Sequence, residues 1–307
     1  MNARRWLLTG IVAAVCACGT QAQHEETPAE HAAAESPPAH PVNPLVVTEP
    51  SPEAPASHSV EVETEERSRP AQVTGIDPDA DVIARAMADT LRGAKQLSFH
   101  AETSMERLMS NGSMVELPAS LDITVRRPDG LRVDRRSVKG HRLFQYDGKT
   151  VGLLDVDRRM YAIGEAPPTI DAMIGALEER FDLVLPLSDI VADDPYIAFS
   201  SDFADDGALL GAYPYKGKTC DVLAYRNESI DWQIWVSREE PRVPMRLAIR
   251  YESEPGIPRF TADLSNWNLS DATPEADFTF AAPADAKKIE VSKRNASEPV
   301  AATEEGK

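Results

Sequence analysis

The sequence predicts a mainly β domain of the α+β class, a curved antiparallel sheet forming a half-open barrel of roughly ten or eleven strands with helices across its concave face. Three observations predict it. Period-two alternation of apolar residues recurs from Leu97 to Phe280, turn pairs punctuate it, and only two longer stretches switch to helical spacing. No crossover helix separates the strands of the first run, which excludes a parallel, doubly wound sheet.

The chain of 307 residues opens with Arg4 and Arg5, an apolar core from Trp6 to Val15, and small residues after it. Residues 1–17 read as a signal peptide of the general secretory route, too short in its core to span a membrane as a mature helix. Val15-Cys16-Ala17-Cys18 resembles a bacterial lipobox with Cys18 as the lipidated residue, and Gly19 after it points to the outer membrane. The alternative is ordinary cleavage after Ala17 or Ala22, which leaves a soluble periplasmic or secreted protein.

Residues 18–75 are rich in Ala, Pro and Glu and carry no apolar periodicity, so the expectation is a disordered acidic tether. Much of the net charge of −18 sits there, where the ten glutamates from Glu25 to Glu66 face only Arg67 and Arg69. An acidic spacer stays extended, and nucleic acid is disfavoured as a partner. Residues 291–307 have the same character and read as a disordered C-terminal tail. The folded domain is therefore 76–290.

Asp77-Pro78 reads as an N-cap followed by proline at the first helical position, and Val82, Ile83, Ala86, Met87 and Leu91 give an apolar stripe up to Gly93. Leu97, Phe99 and Ala101, then Leu121, Ile123 and Val125, lie on single strand faces with the hairpin signal Asn111-Gly112 between them. Pro128-Asp129-Gly130, Lys139-Gly140, Asp147-Gly148 and Asp157-Arg158 separate the strands of a meander ending near Ile163. Pro167-Pro168-Thr169 starts a second helix, with Ile170, Met173, Ile174, Leu177 and Phe181 on one stripe and Asp171, Glu178 and Glu179 opposite. A short turn at Leu185 to Asp189 and an acid-rich loop lead to strands at Tyr213, Cys220 to Tyr225, Ile230 to Val236, Met245 to Tyr251, Phe260 to Leu264 and Phe278 to Phe280.

Chemistry has few residues to use. Only His100 and His141 lie in the domain, neither within a metal-ligand pattern, and Cys220 has no partner cysteine. Cys220 alternates with Val222 as a core residue does, and nucleophile elbows, P-loops and dinucleotide fingerprints are absent from the sequence. Asp193, Asp194, Asp202, Asp205 and Asp206 crowd one loop but lack the order of a calcium loop. The expectation is a protein that is not an enzyme and takes no cofactor or metal.

Phe144-Gln145-Tyr146-Asp147-Gly148-Lys149-Thr150, followed by Leu154-Asp155-Val156-Asp157 and closed by Phe278 to Pro283, resembles the lipoprotein-carrier superfamily of LolA and LolB. Tyr161 to Leu177, and Asp231 to Val236 with Pro244 and Arg246 after it, resemble a family of predicted periplasmic proteins of unknown function within that superfamily. The resemblance implies a sheet closed by helices over an apolar cavity, with no catalytic residues. It also implies a basic residue near the cavity mouth, for which the sequence offers no assignable position.

On this reading Met173, Ile174, Leu177, Phe181, Trp232, Ile234, Met245 and Leu247 line a cargo cavity for a lipid or the acyl chains of a lipoprotein. The alternative is a structural or regulatory envelope protein that contacts a protein partner, as a stress sensor does, without cargo. Both place the domain in the periplasm, held at the outer membrane through Cys18.

Overall fold

The computed structural model describes residues 75–270 and 277–290, apart from 182, 184 and 186. The signal peptide, Cys18, the tether and the C-terminal tail lie outside the described residues. Within them, thirteen strands form one sheet. The short β1 (Gly75–Ile76) is followed by α1 (Pro78–Gly93), β2 (Gln96–Leu108), β3 (Met114–Arg126), β4 (Gly130–Ser137), β5 (Gly140–Tyr146), β6 (Thr150–Asp155) and β7 (Met160–Glu165). A helical connection comes next, made of α2 (Ile170–Phe181), α3 (Ser188–Val191) and a 3₁₀ turn, Pro195–Phe199. The chain then returns as β8 (Asp206–Tyr215), β9 (Lys218–Arg226), β10 (Ile230–Ser237), β11 (Pro244–Tyr251), β12 (Arg259–Asn268) and the short β13 (Lys287–Lys288).

Two antiparallel meanders, β2 to β7 and β8 to β12, are joined where β12 pairs with β2. The parallel pairs β1 with β8 and β13 with β7 are two residues each, at the sheet's two ends. The curved open sheet and its antiparallel order are those the alternation predicts. Its turns follow the sequence signals too. In the Asp147-Gly148 turn the Asp147 carboxylate accepts from the backbone N–H groups of Lys149 and Thr150, at 3.0 and 2.8 Å. Gly148 sits at φ +87°, a conformation that a side chain disfavours.

Two local readings change. Helix α1 buries Ala80, Ala84, Met87, Ala88 and Leu91, while Val82 is 65% exposed. Alanines face the sheet because the helix lies close to it: the Tyr225 hydroxyl reaches the Ala80 carbonyl at 3.5 Å. Phe278 to Phe280 is the second. It forms no strand: β4 and β6 already occupy both edges of β5, and Gln145 Nε2 on β5 donates to the carbonyls of Asp277 and Thr279, at 2.6 and 3.3 Å. Phe280 lies over Gly152, and Phe278 lies under the Arg126 guanidinium at 4.6 Å.

One core joins α1, α2, α3, the 3₁₀ turn and the inner face of the sheet. The helices cover that face because each has a single apolar stripe and each strand a single apolar side.

Candidate functional site

Cross-strand register assembles the site. Trp232 and Ile234 on β10 stand opposite Tyr225 and Leu223 on β9, and opposite Ile249 and Leu247 on β11. Trp232 stacks on Tyr225 with centroids 5.5 Å apart and meets Phe203 at 5.4 Å. Met173, Ile174 and Leu177 of α2 belong to the same buried core, as do Met245 and Leu247, and Phe181 is half-buried against it. All eight residues proposed from the sequence are thus in or against one core. Met173 and Ile234 have no accessible surface, so no space the size of a water adjoins them in this closed arrangement, and Trp232 keeps only 1% of its surface. The indole Nε1 of Trp232 is buried there without a hydrogen-bond partner.

The helical connection is tied down at a few places. Tyr146 Oη donates to the Pro167 carbonyl at 2.5 Å, and Ile170 N to the Pro128 carbonyl at 2.9 Å. Tyr196, in the 3₁₀ turn, bonds Asp81 of α1 and accepts from Arg85 at 2.7 Å, with the Arg85 guanidinium 4.1 Å above its ring. Burial pushes the Tyr196 hydroxyl up to about 12, with Asp81 adding to it.

The residue the sequence did not single out is Arg127, in the turn after β3. Its backbone is fixed by a bond from its N–H to the Lys95 carbonyl at 2.8 Å. The side chain, 9% exposed, sends Nη1 to the carbonyls of Val191 and Ala192 at 3.0 and 2.8 Å and to the Asp193 carboxylate at 3.4 Å. Its Nε and Nη2 are buried with no hydrogen-bond partner. Burial pulls the Arg127 pKa down, against the carboxylates of Asp193 and Asp171. A cation this deep with two of its three nitrogens idle carries a desolvation cost of several kcal/mol, on the order found for buried ions.

The remaining candidates are scattered. Cys220 is buried on β9, and that burial pushes its thiol up. His100 on β2 bonds Asp122 and Glu102 at 2.7 and 2.9 Å, and the Asp122 bond is the largest cause of its raised pKa. His141 on β5 bonds Asp134 at 2.8 Å. Among the described residues, three or more His, Cys, Asp or Glu side chains nowhere gather as a metal site.

The sheet's other face holds an open recess of about 490 Å³. Its floor is the row Ala208, Ala224, Gln233 and Ala248, consecutive neighbours across β8 to β11. A cross-strand row of charges flanks it, running Asp206, Arg226, Asp231, Arg250 and Arg259. This row alternates in sign until its end, where two arginines adjoin.

No curated protein matches the chain. Among solved structures, an uncharacterized conserved protein from Thermus thermophilus is similar at 11% identity and a TM-score of 0.42, covering 69% of this chain and 98% of that one. The Mycobacterium tuberculosis lipoprotein LppX is similar at 14% identity and a TM-score of 0.39, over 63% of this chain and all of that one, 100%. A LolA-superfamily protein from Nitrosomonas europaea gives 11% identity and a TM-score of 0.33, covering 66% and 97% of the two chains. The family model described as predicted periplasmic protein (DUF2092) matches residues 80–292, and the chain belongs to that family.

Proposed function

We propose that this periplasmic-family protein is a non-enzymatic carrier or receptor for apolar cargo, a lipid or the acyl chains of a lipoprotein, admitted beneath a lid formed by α2, α3 and the 3₁₀ turn. Cys18 anchors it to the outer membrane, and the acidic segment supplies reach, with an r.m.s. span of about 40 Å for roughly fifty flexible residues. The observation that carries the reading is the Arg127 contact with the lid. Side-chain contacts and a handful of bonds join lid to sheet, so the lid can lift without breaking strand pairing. What it uncovers is the apolar face of Trp232, Ile234, Met245 and Leu247. Cargo on that face replaces the contacts of Met173, Ile174 and Leu177, each worth roughly 1.5 to 3 kcal/mol.

A second reading, contact with a protein partner without cargo, is favoured by the filled core at Met173 and Ile234 and by the recess on the opposite face. Mass spectrometry of organic extracts from natively purified protein separates the two. An acyl species near stoichiometric amount is expected. Protein that yields none, and that binds no acyl probe after delipidation, belongs to the partner reading.

A further inference from the structure

Arg127 has more donors than the lid uses. Nη1 makes every hydrogen bond of the guanidinium to the lid, whereas Nε and Nη2 are both buried and partnerless. Those two nitrogens share one edge of the guanidinium, and their parallel N–H bonds match the paired oxygens of a carboxylate or a phosphate. Buried donors of this kind call for a partner, and a guanidinium is not deprotonated in proteins.

We infer that the cargo is an anionic amphiphile, a long acyl or alkyl chain ending in an oxyanion that docks on the Nε and Nη2 edge of Arg127. The inference rests on the lid reading and adds the chemistry of the head group. It also couples binding to opening. The acceptors now beside Arg127 are two lid carbonyls and the Asp193 carboxylate, with Asp171 of α2 close enough to act on its charge. An incoming oxyanion is repelled by both aspartates and competes with the carbonyls for one cation, so its arrival favours departure of the lid. A neutral head group accepts a hydrogen bond but leaves the charge uncompensated.

The test is displacement of a neutral fluorescent acyl probe from the delipidated full chain by palmitate, by hexadecanol, by palmitoyl lysophosphatidate and by inorganic phosphate alone. Arg127→Met and Arg127→Lys are measured beside the wild type, with circular dichroism melts to show that each is folded. In the wild type the two anionic amphiphiles are expected to bind at least about tenfold more tightly than hexadecanol. That preference should collapse in Arg127→Met and be cut in Arg127→Lys, which keeps the charge and loses the fork. Equal binding of palmitate and hexadecanol, or a preference that survives in folded Arg127→Met, overturns the oxyanion while leaving a cargo site. Inorganic phosphate competing as well as lysophosphatidate overturns the amphiphile, since the chain then contributes nothing. Probe binding by no amphiphile removes the lid reading, and this inference with it.

Discussion

Nη1 of Arg127 lies 2.8 Å from the carbonyl oxygen of Ala192, and this bond ties the end of β3 to the end of α3 across 65 residues of sequence. Neither residue is a conventional partner for the other. A guanidinium that pairs with Asp193 is also buried to hold backbone oxygens, which makes one removable side chain a substantial part of what holds the lid.

The latch predicts a local change. Charged hydrogen bonds to carbonyls contribute about 1.5 to 3 kcal/mol each before the desolvation of the arginine is subtracted. Arg127→Met should therefore speed hydrogen exchange at Ile190 to Ala192 by roughly ten- to a hundredfold, with the β2 to β5 amides little altered. Unchanged protection at α3 would show that Arg127 does not hold the lid.

A second prediction concerns pH. Burial pushes Asp189 in α3 up to about 7, with the Glu178 carboxylate of α2 adding to it. The folded protein keeps a proton there after an ordinary aspartate in the unfolded chain has released it. The contribution of Asp189 is most favourable below about pH 4 and declines as pH climbs to about 7. His100 acts in the same direction: its raised pKa gives stability that is complete below its ordinary value and lost as pH rises through the folded one. The urea midpoint should fall between pH 5 and pH 8, and Asp189→Asn should shrink that fall while His100→Gln removes a separate part. An Asp189→Asn profile identical to the wild type would count against this assignment.

Much of the fold was legible because large apolar residues at fixed spacing mark a buried face without ambiguity. Ile170, Met173, Ile174 and Leu177 are such a case, and the structure buries all four. Helix α1 has the cap, start and end that Asp77, Pro78 and Gly93 predict, but its buried face was only partly legible, because Ala80, Ala84 and Ala88 carry little hydrophobic signal, yet they form the face that comes closest to the sheet. Phe278 and Phe280 alternate as strand residues do, and nothing local announces that a glutamine side chain will take up the carbonyls beside them. Arg127 was invisible because its partners are main-chain carbonyls 64 and 65 residues away, and a carbonyl has no residue identity to read.

The C-terminal segment yields a packing prediction. A Cβ added at Gly152 would overlap the ring of Phe280, which also meets Tyr161 with centroids 5.6 Å apart. Gly152→Ala should displace Phe280 and cost roughly 1 to 3 kcal/mol. Adding Phe280→Ala should recover part of that loss, because the ring that collides is gone. A Gly152→Ala protein as stable as the wild type would mean that the segment moves aside freely.

Anchoring is tested separately from cargo. Cys18→Ser should release the mature protein from the membrane fraction, and the wild-type N-terminal residue should carry acyl mass. A wild-type chain with a free amino terminus near Ala22 in the soluble fraction would remove the anchor from the proposal and leave the domain as a soluble shuttle or secreted protein. Scrambling residues 24–70 at constant composition should preserve function if the segment contributes reach alone.

The sharpest contrast lies on α2, where one helix carries both a buried stripe and an exposed side. Leu177, on the underside of the lid, is buried in the core, while Arg180, three residues on, is exposed. Leu177→Asp places a carboxylate where no water reaches, and the helix can relieve that only by lifting away from the sheet. Lid exchange should therefore rise towards that of an open segment, with loss of several kcal/mol of local stability, while strand amides of β10 and β11 stay protected by their own ladder. Arg180→Lys should change lid stability by less than about 0.5 kcal/mol, because an exposed charge is solvated in both states. With the lid lifted, Trp232, Ile234 and Leu247 face solvent, and a hydrophobic dye should bind the variant faster than the wild type. If Leu177→Asp instead unfolds β10 and β11 along with α2, lid and sheet form one cooperative unit, and a carrier that opens beneath its helices is not what this chain is.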